Sequence, residues 1–402
     1  MGLIVQKFGG TSVANTERLK NVAEIVTDAY KAGNGVIVVV SAQGDTTDDL
    51  IEKAREVNTN PSKREMDMLL STGEQISASL LAMTIESMGF PVISLTGWQA
   101  GIATDSNYSA SRIKKIDTER LSAELDKKRI VIVTGFQGLN KYDDITTLGR
   151  GGSDTSAVAL AAACQADLCE IYTDVDGVYT TDPRIVPDAK KLSEISFDEM
   201  LELASLGANV LHNRSVEMAK KYNVNMCVRS SITRAEGTFV KEVVNMESMV
   251  VRGVTKDNDV ARISLCHIED TPGKAFRIFS LLAKYNINVD LIIQSIGREN
   301  TKDISFTVSE GNLKEALDLI ENNKDIIGYG ELSYNTEVSK VSIVGAGMVT
   351  NAGVAAKMFE ALYDAHINIH MIATSEIKVS VLIDQGMENK AVKAIHDKFE
   401  LA

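Results

Sequence analysis

The chain has 402 residues, 44% hydrophobic and 24% charged, with a net charge of −13 at pH 7; that length suits two or three domains with cores of their own, and the acidic balance excludes general nucleic-acid binding, which needs basic surface. No apolar run reaches the roughly 18 residues of a membrane helix, and Lys7 and Gly9–Gly10 interrupt the first apolar stretch that a leader would use. The four cysteines, Cys164, Cys169, Cys227 and Cys266, form no CxxC pair, so a cytoplasmic protein with buried, reduced thiols and no membrane or nucleic-acid partner is expected.

Up to about residue 245, short Val- and Ile-rich runs alternate with amphipathic stretches. Leu3 to Val5, Val36 to Val40, Val92 to Leu95, Ile130 to Val133 and Glu170 to Tyr172 read as buried strands. Thr16 to Ala32, Arg64 to Met88 and Ser153 to Ala166 read as helices. The alternation predicts an α/β domain on a mostly parallel sheet, in which ligands gather beyond the carboxyl ends of the strands. Glycine-rich and polar stretches follow Val5, Val40, Leu95, Val133 and Tyr172, which predicts one shared site.

Four of these stretches carry candidate chemistry. Lys7-Phe8-Gly9-Gly10-Thr11-Ser12 lies between a strand and a helix. There glycines let backbone approach a phosphate, and a lysine can neutralise charge on a transferring phosphoryl; the glycine pair by itself also fits a plain tight turn. The hydroxyls of Ser41-Ala42-Gln43-Gly44-Asp45-Thr46-Thr47 suit a carboxylate ligand or helix caps. In Gly149-Arg150-Gly151-Gly152-Ser153-Asp154-Thr155, three glycines leave amides free for an anion and Arg150 offers a planar fork. Asp154 opens the next helix, where the dipole keeps it ionised; a flexible loop with Asp154 as cap is the plainer reading. Thr173-Asp174-Val175-Asp176-Gly177-Val178-Tyr179, continuing to Asp182-Pro183-Arg184, offers a ring for a base and a guanidinium for phosphates, or merely a turn and an irregular connection. There is no GxxxxGK[ST] loop, no HRD and DFG pair and no GxGxxG unit. His212 is the one histidine in the first 245 residues, so a histidine-base mechanism is not expected, and no His/Cys cluster has zinc spacing.

Residues 246–402 contain an internal repeat at an offset of 80: Ile263 matches Ile343, Gly273 Gly353, Ala275 Ala355, Phe279 Phe359, Leu282 Leu362, Asn288 Asn368 and Ser295 Ser375. After a loss of five residues, Ile304-Ser305-Phe306 matches Val379-Ser380-Val381. Each copy reads strand, glycine turn, helix, strand, strand, helix. One copy has a small core, so two are expected to pack together, as a structural duplication or as a paired small-molecule sensor.

Taken together, the Lys7 and Ser41 loops, Thr72-Gly73-Glu74, Thr146 to Asp154 and Thr173 to Arg184 closely resemble aspartokinase, and the repeat resembles that family's tandem ACT domains, so that the likeness covers essentially the whole chain. The resemblance implies an α/β amino-acid-kinase (carbamate-kinase-like) domain over 1–245, with mostly parallel sheet, and two ferredoxin-like α+β ACT domains over 246–325 and 326–402, with interleaving allowed. It implies phosphorylation of the L-aspartate side-chain carboxylate by ATP with Mg²⁺, the first step toward lysine, threonine and methionine, in a monofunctional chain. Lys7, Arg150 and Asp154 would be catalytic; Ser41, Thr46, Thr47, Glu74, Arg150, Gly151 and Ser153 would hold aspartate, Glu74 at the ammonium and Arg150 at the α-carboxylate. Lys7, Phe8, Gly9, Gly10, Ser12, Thr173, Asp174, Tyr179, Arg184 and Asn209 would meet the nucleotide, Asn209 standing where many relatives carry lysine. Asp270, Gly273, Lys274, Ala275, Asn288, Val289, Asp290, Gln294, Asn368 and Ile369 would meet an effector, lysine and/or threonine, with Asp270 or Asp290 at its ammonium. The second repeat lacks the proline of Asp270-Thr271-Pro272-Gly273, having Thr350-Asn351-Ala352-Gly353, so unequal effector binding is expected. A homodimer or higher oligomer through the ACT domains is implied, and no dedicated metal site, because the phosphates hold Mg²⁺. The competing readings are a kinase of the same fold with another acceptor, which the Glu74 and Arg150 loops oppose, and an inactive amino-acid sensor, which would have lost Lys7, Arg150 or Asp154.

Overall fold

The computed structural model describes residues 2–208, 210–242, 249–296 and 300–402. They divide into two compact units, the first holding 2–179, 191–205 and 210–242, the second 180–190, 206–208 and everything from 249 onward. Among the described residues no helix is long and apolar enough to cross a membrane.

The first unit runs β1 (Leu3–Phe8), α1 (Thr16–Lys31), β2 (Gly35–Val40), α2 (Thr46–Val57), α3 (Lys63–Ser87), β3 (Val92–Leu95), β4 (Ile102–Thr104), β5 (Ile113–Ile116), α4 (Glu119–Asp126) and β6 (Ile130–Thr134). It continues through β7 (Gln137–Leu139), β8 (Ile145–Thr147), α5 (Gly152–Ala163), β9 (Leu168–Thr173), β10 (Glu194–Ser196), α6 (Phe197–Ser205), α7 (Asn213–Tyr222), β11 (Met226–Ser230) and β12 (Thr238–Lys241). Eight strands form one sheet in the order β10-β12-β11-β9-β1-β2-β6-β3, parallel throughout except between β11 and β12. Val36, Ile37, Val38, Val39 and Val40 are all fully buried, which is why β2 is continuously apolar: a parallel sheet is covered on both faces. One covering element is α1, whose Leu19, Val22, Ala23 and Val26 recur at helical spacing and pack in the core with Val36, Val38 and Ile132. Its start is fixed by Asn15, whose side chain accepts from the Arg18 amide at 3.0 Å.

The sequence reading places the end of α5 at Ala166, but the helix stops at Ala163. Gln165 takes φ 52, a left-handed turn that closes the helix and lets the chain enter β9. A second, small sheet, β5-β4-β7-β8, is absent from the sequence reading. It delivers Thr147 to the start of the Gly149 loop.

β1 sits between β2 and β9 and runs parallel to both. The chain leaves β1 to one side first and returns on the other later, which makes the carboxyl end of β1 a topological switch point. The Gly9 and Ser41 stretches follow β1 and β2 directly, and the Thr173 stretch starts at the last residue of β9.

The second unit contains β13 (Gly253–Asp257), β14 (Ala261–Glu269), α8 (Lys274–Lys284), β15 (Ile292–Ile296), β16 (Thr301–Val308), α9 (Glu310–Asn322), α10 (Lys324–Ile327) and β17 (Glu331–Asn335). β18 (Val338–Val344), α11 (Val354–Asp364), β19 (Met371–Thr374), β20 (Lys378–Asp384) and α12 (Glu388–Lys398) complete it. The repeat is visible atom by atom: Gly273 and Gly353 take φ 93 and 90 at the starts of α8 and α11, and Ile263, Ile343, Leu282 and Leu362 are fully buried. Two antiparallel sheets result, β15-β16-β14-β17 and β13-β18-β20-β19. β17, beyond the expected boundary at 325/326, pairs with β14, and β13, inside the expected first domain of 246–325, pairs with β18 of the second. Each repeat supplies three strands of its own sheet, and the flanking segments complete the fourth position.

Candidate functional site

In the first unit the Gly9 and Ser41 stretches are built against each other. Phe8 ends β1 with its ring stacked on Tyr172, centroids 4.7 Å apart. The Gly9 amide donates to Tyr172 O at 3.3 Å and the Gly44 amide to Gly10 O at 3.1 Å. A Cβ on Gly10 would lie 2.6 Å from Ala42 O, so only glycine permits this approach. Lys7 Nζ lies 2.7 Å from Asp154 Oδ1, with the two side chains 12% and 13% exposed. Asp154 stands in the first turn of α5, where the helix dipole favours a carboxylate; the pair thus joins the end of β1 to the start of α5.

Glu74 projects from α3 to the Ser41 stretch. Its Oε1 accepts from the Ala42 amide at 3.1 Å, while Oε2 is buried without a hydrogen-bond partner. Burial pushes its carboxyl up to about 7. The contact depends on Gly73, where a Cβ would fall 2.8 Å from that of Ala42. A buried carboxylate oxygen with nothing to accept is costly, and it can take a hydrogen bond from a donor that a ligand brings. Ser41, Thr46 and Thr47 are half-buried beside it; the Thr46 hydroxyl donates to Gln43 O at 2.6 Å.

The Gly149 stretch is shaped from outside. Gly149 and Gly151 take φ 78 and 65, and a Cβ on Gly151 would lie 2.2 Å from Cγ of His212. His212 therefore backs the loop. Arg150 is exposed, and Gly152 and Ser153 are buried. Sequence reasoning missed two groups here. Asp67, fully buried, accepts from the Ser109 and Thr147 amides and from both hydroxyls at 2.7–3.2 Å. Arg214 donates to Leu148 O at 2.8 Å and Ser111 O at 2.7 Å. The available signal for Asp67 is a buried polar stripe, Asp67, Ser71 and Glu74, along one face of α3. Arg214 offers none, since its partners are remote carbonyls.

On the β9 side, Thr173 donates its hydroxyl to Asp174 at 2.9 Å, and Ser12 shares a 2.7 Å hydroxyl contact with Ser231. The Tyr179 hydroxyl donates to Asp176 at 2.8 Å. Arg184 belongs to the 180–190 segment of the second unit, where its guanidinium pairs with Asp182 at 2.7 Å. Asn209 lies outside the described residues. The geometry thus brings together Lys7, Phe8, Gly9, Gly10, Asp154, Ser41 and Glu74, with Thr173 on the neighbouring strand.

Of the effector candidates in the second unit, Asp270 pairs with Lys302 at 2.5 Å. Asp290 pairs at 2.5 Å with Lys340, a buried lysine that also meets Asp257 at 3.1 Å. Both carboxylates expected to face an ammonium already hold a lysine of the chain. Lys274 donates to Ile327 O at 3.0 Å; Gly273, Ala275, Asn288, Gln294 and Asn368 are exposed and Val289 and Ile369 half-buried.

Known proteins share this architecture. Residues 2–230 match the amino acid kinase family, and residues 267–323 and 341–399 match an ACT domain. An aspartokinase of Bacillus sp. (strain MGA3) is 52% identical over 403 residues, covering 100% of this chain and 98% of that one. The crystal structure of E. coli aspartokinase III in complex with aspartate and ADP (R-state) superposes with a TM-score of 0.81 at 25% identity, covering 99% of this chain and 100% of that one. The same enzyme in complex with lysine and aspartate (T-state) gives 0.76 at 25% identity, covering 99% of each chain.

Proposed function

Because this chain belongs to the aspartokinases of the amino acid kinase family, we propose that Glu74 and Arg150 grip the two charged α-substituents of L-aspartate while Lys7, set by Asp154, neutralises the phosphoryl group leaving ATP. The carrying observation is the buried, partnerless Oε2 of Glu74: an α-ammonium supplies the missing donor. Arg150, exposed on the glycine loop and with no ion-pair partner among the described residues, matches the α-carboxylate as a planar fork. Ser41, Thr46, Thr47, Gly151 and Ser153 complete the pocket.

The acceptor is the side-chain carboxylate, ordinarily ionised above about pH 4. It needs no general base, in keeping with a His212 that backs Gly151 instead. One carboxylate oxygen forms a bond to the γ-phosphorus, the bond from that phosphorus to the β–γ bridging oxygen breaks, and ADP departs with that electron pair. The product is 4-phospho-L-aspartate. Positioning and charge neutralisation supply the catalysis. The nucleotide enters as MgATP and meets Lys7 to Gly10, Ser12, Thr173, Asp174 and Tyr179.

The ACT repeats make the enzyme allosterically regulated, and lysine and/or threonine, end products of the pathway the reaction opens, are the proposed effectors. The lysine held by E. coli aspartokinase III supports this reading. A homodimer or higher oligomer through these repeats is the proposed frame, and four unbridged cysteines fit the reducing cytoplasm.

The test is to incubate the protein with MgATP and aspartate, glutamate or acetylglutamate, and to trap acyl phosphate with hydroxylamine. Hydroxamate is expected from aspartate alone, falling as lysine or threonine is titrated in. Product from glutamate, or none from aspartate, overturns the substrate assignment; rates unmoved by millimolar lysine and threonine, singly or together, overturn the effector assignment.

A further inference from the structure

The loop that carries Arg150 closes one turn of its own, the Gly152 amide donating to Gly149 O at 3.0 Å, but its glycines call for restraint from outside. Two of its residues, Gly149 and Gly151, sit at positive φ, and glycine leaves the unrestrained backbone many alternatives. Part of that restraint comes from the first turn of α7. There the guanidinium of Arg214 spans two strands of chain, one nitrogen donating to Leu148 O, immediately before Gly149, and the other to Ser111 O. Ser111 is itself bound to this strand, its amide and hydroxyl both donating to Thr147 O at 2.9 Å. Two residues earlier in α7's lead-in, the ring of His212 fills the space against Gly151 that a side chain would need. Arg214 is half-buried and, among the described residues, no carboxylate pairs with it; burial lowers its pKa from the usual value. A partly desolvated cation spent on two carbonyls is a poor stabilising device, but a planar fork bonded at both ends is a good geometrical one.

We propose that Arg214 is a positioning residue for the amino-acid pocket: by bridging Leu148 O and Ser111 O it fixes the glycine loop so that Arg150 meets the substrate carboxylate. This rests on the reading that Arg150 takes the α-carboxylate. It assigns Arg214 no contact with substrate. Asp67 restrains the same region through Ser109 and Thr147, and the Leu148 amide donates to Phe136 O at 2.8 Å, so removing Arg214 leaves the loop attached but without the brace on the Leu148 carbonyl that leads into Gly149.

Steady-state kinetics of Arg214→Met, Arg214→Lys, Arg150→Gln and the double variant R150Q/R214M test it. A lost charge-assisted hydrogen bond predicts that R214M raises KM for aspartate about 10–100-fold, while KM for MgATP moves less than about twofold and the thermal transition stays within a few degrees. R214K, which keeps the charge but reaches one carbonyl, recovers part of the loss; should R214M fail to fold, R214K alone carries the test, with an expected rise of about 3–10-fold. In the R150Q background R214M adds little, because the two act through one contact. Equal rises in both Michaelis constants, an unchanged KM for aspartate in R214M and R214K, or multiplying effects in the double variant overturn the proposal. If R150Q itself leaves KM for aspartate unchanged, the Arg150 reading falls and the proposal with it; if R150Q raises it and the Arg214 variants do not, the brace alone falls.

Discussion

The ammonium role proposed for Glu74 ties affinity, pH and stability together at a single side chain. Burial lifts its carboxyl from 4.5 to about 7, so at pH 6 the free enzyme holds it mostly protonated and unable to attract an ammonium. The expected result is a kcat/KM for aspartate that falls about tenfold per pH unit below about 7, with kcat at saturating aspartate flatter because the bound ammonium favours the ionised form. The stability consequence has the opposite sign from that of a salt-bridged acid. Between pH 4.5 and about 7 the folded state keeps a proton that the unfolded state has lost, so stability declines as pH rises through that window and stays lower above it. The decline amounts to about 3 kcal/mol at most. Glu74→Gln should abolish the acid limb of the kcat/KM profile and raise KM for aspartate about 10–100-fold. It should also gain stability relative to the parent between pH 4 and pH 8 in thermal melts; a parent and variant whose difference is constant over that range would sink the assignment. The glycines and Glu74 were legible as letters in the sequence. The orphan oxygen was not, because it arises only when Gly73 lets α3 close on Ala42.

At the scale of elements, the parallel sheet does the positioning. β1 ends at Phe8 in register with Val40 and Tyr172, and α5 begins after a loop with two glycines at positive φ; Lys7 and Asp154 meet because those two ends are adjacent. Lys7→Ala should lower kcat about 10²–10³-fold with smaller changes in either KM, the size seen when one preorganised charge-stabilising donor is lost. Asp154→Asn should cost less, because the ammonium remains but is no longer anchored. Steady-state kinetics decide: equal losses through KM alone would make the pair a binding device. The long strands and helices could be read from sequence because burial on both faces leaves unbroken Val and Ile runs and α1 keeps a helical period. The small sheet was invisible, since β4, β7 and β8 have three residues each, too few for alternation to show. Asp67 and Arg214 escaped for a related reason: each acts on loops whose proximity is a product of the fold.

At the scale of the whole molecule, the 80-residue repeat announced duplicated architecture, yet the pairing of the flanking strands could not be inferred from it. Strand pairing is a matter of edges, and β14 and β18 each leave one edge for a strand from outside the repeat to cover. That arrangement makes β13, which lies in the span expected for the first domain, part of the second repeat's sheet. Lys340 reinforces the exchange: it is 3% exposed on β18, pairs with Asp257 on β13, and reaches Asp290 at the entrance to β15 of the other sheet. Burial alone would lower its pKa, but Asp290 and Asp257 more than offset that and hold it raised and charged. Removing the cation strands two carboxylates that are only partly hydrated. Lys340→Met should therefore destabilise the unit by about 3 kcal/mol, the low end for breaking a buried pair, with partial recovery when Asp290→Asn removes one of the abandoned charges. The informative readout is native-state hydrogen exchange at the amides of β14 and β16 against those of β18 and β20. If the shared strands and Lys340 make the two repeats one cooperative body, protection drops in both sheets by the same amount; loss confined to β18 and β20 would mean that the repeats open independently and that Lys340 serves its own sheet alone.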